Sequence, residues 1–198
     1  MIIETPHLVL RPIMAADARA LIDLDSDPSV MRYVSGGRPT PAHIISDWVI
    51  PRAITAMSAH RGDGMWVAID PAQRAFLGWF SLRAPRHSPQ HELELTYRLR
   101  QAVWGRGFAT EGSRALVATA FDHGRAERVF AGTMAVNTAS RRVMEKSGMR
   151  LAALHLAADP GIDGHERGEV EYEILRTQWT AEEFPWAGSV RHLSNLIA

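Results

Sequence analysis

A mixed α/β fold, an open sheet flanked by helices, follows from three observations. HELELTYRLR (residues 91–100) alternates strictly, with Leu93, Leu95, Tyr97 and Leu99 on one face and Glu92, Glu94, Thr96 and Arg98 on the other. Period two marks a strand with one buried face. WGRGFATEG (104–112) then places two glycines ahead of Phe108, Gly112, Ala115, Leu116, Thr119 and Ala120, which recur at helical spacing. RVFAGTMAVN returns to a strand pattern and ends on Asn137, a residue suited to cap a further helix. Strand, glycine turn, helix, strand and helix in succession put a sheet-and-helix unit at the centre of the chain.

The flanking elements follow in order. HLVLRP (7–12) alternates apolar and polar residues and stops at a proline, as an exposed or edge strand does. Residues 13–24 carry apolar side chains at helical spacing, and Asp27-Pro28 breaks that pattern, so SVMRYVSGGRP reads as a loop. Thr40-Pro41 opens a helical region running towards His60, in which Pro51 predicts a kink or a split. MWVAID and AFLGWFSL are short apolar runs bounded by Gly, Asp and Pro, and form a central hairpin buried on both faces. Gly112 falls on the inner face of its helix, where a missing side chain lets helix and sheet approach closely. Gly124 ends that helix, and Gly148 ends the next one after Lys146 in its last turn. RLAALHLA and EVEYEILRTQWT supply two further strands joined by ADPGIDGHERG.

Composition narrows the function. A chain of 198 residues is long enough for one well-buried core, and residues 1–198 are expected to form a single domain. With 22 basic and 22 acidic residues the formal charge is zero, so neither nucleic acid nor an anionic membrane is expected as a partner. Cysteine is absent, which excludes a disulfide framework, a cysteine metal site and a cysteine nucleophile. No apolar run approaches the roughly 20 residues of a membrane helix, and residues 1–5 lack the regions of a signal peptide; a cytoplasmic protein is expected. The nine histidines show no tight ligand spacing, His165 with Glu166 reads as polar surface, and no metal is expected. Trp48, Trp66, Trp79 and Tyr97 read as core or pocket walls.

The glycine turn carries the chemistry. A helix N-terminus presents N–H groups without internal partners, and preceding glycines let the chain fold those donors around an anion. Gly105 and Gly107 could equally make only a tight turn. The stretch lacks the Gly-Lys-Ser/Thr of a Walker loop, and Thr110 stands where a dinucleotide fingerprint needs a third glycine. Residues 98–114 nevertheless hold four arginines and one glutamate, a local excess suited to a pyrophosphate.

Taken together, HLVLRP, ELELTYRLRQAVWGRGFATEGSRALVATAF and VNTASRRVMEKSGM resemble the GNAT superfamily of N-acetyltransferases, most closely the branch that includes ribosomal-protein N-terminal acetyltransferases. The resemblance spans residues 7–177. It implies a mixed, mostly antiparallel sheet of about seven strands, splayed between the fourth, HELELTYRLR, and the fifth, RVFAGTMAVN. Acetyl-coenzyme A is then the cosubstrate, with its pyrophosphate on the amides of Arg106, Gly107, Ala109 and Thr110. The family's turn pattern falls on Trp104, Gly107 and Ala109, with tryptophan where glutamine or arginine is common, and Gly105 within it is counted with the cofactor-binding residues. Asn137 is similar to the family's contact to the pantetheine arm, and Ser140 to a second contact near the thiol; helix capping and a solvent-facing serine are their plain alternatives. Arg141, Arg142 and Lys146 either approach the nucleotide phosphate or form a solvated helix face.

An amine attacks a thioester only as the free base, so one group must accept a proton and another must supply one to the leaving thiolate. By resemblance Glu94 is the base, directly or through water, with Glu92 on the same face as competitor and a surface pair with Arg98 as the plain alternative. The family's acidic tyrosine is replaced by Met144, which leaves Ser140 or water to protonate or orient the thiolate. Amides near Leu95 and Thr96 would polarise the carbonyl. Without cysteine, direct transfer in a ternary complex is favoured. Residues 26–43 and 157–168 would flank the acceptor entrance. The acceptor implied is a primary amine, first a protein or peptide N-terminus, second a small molecule such as an antibiotic or polyamine. A non-catalytic acyl-coenzyme A sensor and an ATP- or NAD-binding protein are the rivals, and a homodimer is left open.

Overall fold

Alternating and apolar runs form the strands, and helices cover both faces. In the computed structural model, residues 1–59, 63–85, 91–156, 159–180 and 182–193 are described. The chain opens with β1 (Ile2–Glu4), β2 (Val9–Pro12), α1 (Ala18–Asp25) and α2 (Pro28–Ser35). A helical stretch follows, made of α3 (Ala42–Ile44), a π-turn (Ile45–Val49) and α4 (Ile50–Ala59). Next come the hairpin β3 (Gly64–Asp70) and β4 (Ala75–Arg83), then β5 (Glu92–Leu99) and α5 (Phe108–Ala118). The last elements are β6 (Arg128–Met134), α6 (Thr138–Lys146), β7 (Arg150–His155), β8 (Glu169–Leu175) and β9 (Arg191–Leu193). The sheet runs β7-β8-β6-β5-β4-β3-β2-β1-β9. Every adjacent pair with printed register is antiparallel except β5 and β6.

Three local readings are corrected. HLVLRP is no edge strand: β2 lies between β1 and β3, because the three-residue β1 and β9 extend the sheet beyond it. Segments that short carry too little periodicity to be read. SVMRYVS, the first part of SVMRYVSGGRP, is not a loop but most of α2, and only the GGRP that follows it is non-helical. Asp27 accepts from the Ser29 amide at 2.8 Å, Pro28 fills the first turn, and Gly36 ends the helix at φ 68°. The same Asp-Pro pair that stops one helix starts the next. Trp48 is not a wall but 60% exposed.

The break expected at Pro51 takes the form of a π-turn just before it, which divides the helical stretch into α3 and α4. The Ile50 amide reaches back to the Ile45 carbonyl, and the missing N–H of Pro51 follows directly. The region stops at Ala59; His60 lies outside the described residues.

Two apolar layers fix the sheet. On one face Leu93, Leu95 and Leu99 pack with Phe108, Ala115 and Leu116 of α5. A Cβ on Gly112 would lie 2.2 Å from Phe80 Cζ, so only glycine permits this helix–sheet distance. On the other face Met65, Val67 and Trp79 meet Leu21, Leu24, Ile50 and Ala53 of α1 and α4. That second layer stops short of β5 and leaves Glu92, Glu94, Thr96 and Arg98 only partly buried. Among the described residues no helix is long and apolar enough to cross a membrane.

Candidate active site

The glycine turn leaves its donors free. Gly105 and Gly107 have φ of 74° and 87°, and a Cβ on either would meet nothing within 4 Å. Glycine is required here by backbone conformation and leaves open space. The Trp104 amide bonds to Gln101 and the Glu111 amide to Gly107, both at about 3 Å. Between them, the amides of residues 105–110 find no acceptor among the described residues, and α5 has no side-chain cap. Six successive donors at a helix N-terminus make a cradle chemically suited to an anion such as a diphosphate. Trp104 donates its indole N–H to the Leu99 carbonyl at 2.8 Å, so it closes the turn onto the end of β5.

The cradle sits beside a parting of strands. Parallel β5 and β6 are in register only at Glu92/Arg128, Leu93/Val129 and Glu94/Phe130. Beyond Glu94, β5 stays paired with β4 and β6 with β8, so the two diverge. Main-chain direction along β5 follows from two bonds. Arg100 N–H points at β4, to Leu77 O, and His91 C=O points at β6, accepting from Arg128 N–H. By alternation the amides of Leu95 and Tyr97 face the opening, whereas that of Thr96 is turned towards β4. The expected amide near Thr96 is therefore that of Tyr97.

On the exposed face, Glu94 lies directly across from Arg83 in the β4–β5 register. Burial pushes the Glu94 carboxyl above its ordinary range; Arg83 opposes the shift and Glu171 adds to it. Glu94 is not paired with Arg98. Arg98 instead reaches Asp25 of α1 at 2.6 Å, and Asp25 also accepts from Thr40 at 2.6 Å. Glu92 belongs to a different group: Arg128 binds Glu92, Glu171 and Glu173 at 3.1, 2.5 and 2.6 Å. Of Glu92 and Glu94, only Glu94 is without a guanidinium hydrogen bond among the described residues. Sequence reading missed Asp25, Arg83, Glu171 and Arg128. The alternation of Glu169, Glu171 and Glu173 on β8 was the available signal for one of them.

Across the gap, Asn137 caps α6, accepting from the Ser140 amide at 3.2 Å, and donates to Thr133 Oγ1 at 3.0 Å. One side-chain N–H remains for a ligand. Ser140 does not face solvent alone: its hydroxyl is 2.8 Å from the Tyr97 hydroxyl. Met144, one turn further, is buried in the core and has no proton to give. Arg141 is spent on Tyr172 and the Ala135 carbonyl, while Arg142 and Lys146 lie on the exposed side of α6. Residues 26–43 and 157–168 do meet. A Cβ on Gly36 would be 2.2 Å from Gly161 O, and Arg32 lies 3.3 Å from Asp163. Residues 157 and 158 of that loop lie outside the described residues. His165 and Glu166 are surface residues 3.9 Å apart, and the described residues contain no group of three or more potential metal ligands.

A sequence model of the acetyltransferase (GNAT) domain matches residues 7–150. The chain belongs to the GNAT acetyltransferase family. A curated relative, the FsC-acetyl coenzyme A-N(2)-transacetylase of Aspergillus fumigatus, is 31% identical over 193 residues, covering 92% of this chain and 80% of the relative. Among solved structures, the RimL ribosomal L7/L12 α-N-protein acetyltransferase in complex with coenzyme A superposes with a TM-score of 0.73 at 17% identity, covering 88% of this chain and 98% of that one. Spermidine N-acetyltransferase from Vibrio cholerae, bound to coenzyme A and spermine, gives a TM-score of 0.71 at 17% identity, with 86% and 96% covered. Both show the shared fold. This GNAT protein is an acetyl-coenzyme A dependent N-acetyltransferase, and the free amides beside the parted strands suit that cosubstrate.

Proposed function

We propose that this GNAT enzyme, a single domain working in the cytoplasm, acetylates an α-amine: a peptide or protein N-terminus, or the α-amino group of a small molecule. The partly buried carboxyl of Glu94, across from Arg83 and with its pKa raised, carries the reading. A carboxylate is a weak base, and an α-amine of pKa near 8 is easier to deprotonate than a lysine-type amine near 10.4 by about 3 kcal/mol. Burial raises Glu94 towards its task. The relative that acts as an N(2)-transacetylase, and the α-N-protein acetyltransferase of like fold, support the same acceptor chemistry.

In this reading the amides of residues 105–110, with Arg106, Gly107, Ala109 and Thr110 central, hold the pyrophosphate, and Asn137 holds the pantetheine arm. Glu94 takes the amine proton directly or through one water. The amides of Leu95 and Tyr97 stabilise charge growing on the carbonyl oxygen. As the N–C bond forms and the C–S bond breaks, Ser140 donates a hydrogen bond to the departing sulfur, and solvent supplies its proton.

A polyamine or other cationic small molecule is the second reading. It is favoured by the glutamates Glu92, Glu94, Glu171 and Glu173 on one face, three of which share the single guanidinium of Arg128. Mass spectrometry after incubation with acetyl-coenzyme A and a mixed library of peptides, α-amino acids, polyamines and aminoglycosides separates the two. Acetyl groups confined to α-nitrogens are expected; acetylation of polyamine nitrogens alone overturns the assignment.

A further inference from the structure

Ser140 has a partner that comes from the opposite side of the strand opening. Tyr97 Oη, on β5, lies 2.8 Å from Ser140 Oγ, on α6, while the Ser140 carbonyl is a poorer acceptor at 3.5 Å. The phenol is the more acidic hydroxyl of the two and hence the stronger donor. If Tyr97 donates to Ser140 Oγ, the serine hydrogen must point elsewhere and is available to a ligand in the opening. We propose that Tyr97 is a positioning residue for thiolate departure: it donates to Ser140 Oγ and turns the Ser140 O–H towards the leaving sulfur. The inference rests on the role given to Ser140 above.

The surroundings suit a fixed donor. Tyr97 packs on Phe80 with ring centroids 5.8 Å apart, so its hydroxyl has little freedom. Burial pushes its pKa up to about 12, only partly countered by Ser140, so the phenol stays protonated wherever the enzyme works. Tyr97 keeps its proton throughout the reaction. A hydroxyl that accepts a hydrogen bond becomes a better donor itself, which strengthens the bond from Ser140 to sulfur. With Met144 one turn further unable to donate, the hydroxyl pair offers the sulfur a hydrogen bond while its proton comes from solvent.

The test uses Tyr97→Phe, Ser140→Ala and the double variant, each assayed for turnover and for binding of coenzyme A and desulfo-coenzyme A by calorimetry at alkaline pH. Tyr97→Phe keeps the ring and its packing. It is expected to lower kcat about tenfold while leaving KM for acetyl-coenzyme A within about twofold, and to add less than about twofold once Ser140 is gone. The preference for coenzyme A over desulfo-coenzyme A should shrink in Tyr97→Phe; being a ratio, it does not depend on how much of the sample is folded. An unchanged preference, or an equal loss of kcat in the presence and absence of Ser140, overturns the proposal. Ser140→Ala with wild-type kcat overturns the prior role of Ser140 and takes this proposal with it, whereas a strong Ser140→Ala defect with an inert Tyr97→Phe leaves that role standing and removes only Tyr97.

Discussion

The two sides of the opening are built on opposite rules. At the glycine turn six neighbouring amides are left without acceptors, whereas on the Glu94 face most charges are paired: Arg98 with Asp25, and Arg128 with Glu92, Glu171 and Glu173. The first side needs only backbone direction, supplied by residues adjacent in the chain. The second needs side chains brought from α1, β4, β5, β6 and β8. The side proposed for the anion is thus built by local geometry, while the side proposed for the acceptor is assembled over long sequence distances. Glu94 differs from its neighbours on that surface because its charge is resisted by burial and not fixed in a hydrogen-bonded ion pair.

Perturbing each side sharpens the contrast. Glu94→Gln is expected to reduce kcat by about 10² to 10⁴ without weakening acetyl-coenzyme A binding. In the parent enzyme the acid limb of the rate profile should lie above an ordinary glutamate, with activity lost as pH falls and Glu94 is protonated. The same substitution should raise the melting temperature at neutral pH. A carboxyl whose folded-state pKa is raised binds protons more readily when folded, so its ionised form opposes folding above that pKa. Equal losses in cosubstrate binding and kcat would erase the proposed separation of sides.

The next effect falls on stability. Asp25→Asn leaves Arg98 partly buried beside a neutral amide and should cost about 3 kcal/mol, read by urea unfolding. Gly112→Ala should cost a similar amount, about 3 kcal/mol, by driving a methyl group into Phe80. Gly107→Ala tests the other side. Its φ of 87° strains any side chain by about 1–2 kcal/mol, which the turn relieves by moving its amides, and the Kd for acetyl-coenzyme A should rise about tenfold. If Gly112→Ala weakened binding more than Gly107→Ala, the cradle would be misplaced.

The smallest effect lies at the far edge of the sheet. His192 on β9 bonds to Thr119 at 2.8 Å and to His123 at 2.9 Å. Burial, with His123 adding repulsion, lowers its pKa to about 4 from 6.5. Between those values the unfolded chain binds the proton and the folded one does not, so stability is full above about pH 6.5 and declines as pH falls towards about 4. His192→Gln should flatten that decline in thermal melts, with acetyl transfer unchanged near neutrality.

Much of the cofactor side was legible because its determinants are short-range. The alternation of residues 92–99 gave both faces of β5, the glycines of the turn marked the positive φ values, and Asn137 marked the α6 cap. Asp27-Pro28 was legible only in part: the residues that stop a helix also start one, and their order alone does not say which. The acceptor side was read less well. Glu94 and Arg98, four positions apart on one face, looked like a surface pair, yet α1 delivers Asp25 to Arg98 from 73 positions away. Likewise Tyr97 passed for a wall, since nothing near it in the chain indicates Ser140, 43 positions on.

By itself the sequence determined where the chain turns, which faces alternate and which amides a helix start must leave open, because backbone conformation depends on a residue and its few neighbours. Tertiary structure alone decided that β5 and β6 diverge after Glu94, that Glu94 is partly buried without a hydrogen-bonded partner among the described residues, and that the Tyr97 and Ser140 hydroxyls meet. Those outcomes depend on strand register and on how closely α1, α5 and α6 pack, and a hydrogen bond spanning such distances forms only after the whole sheet has fixed both of its ends.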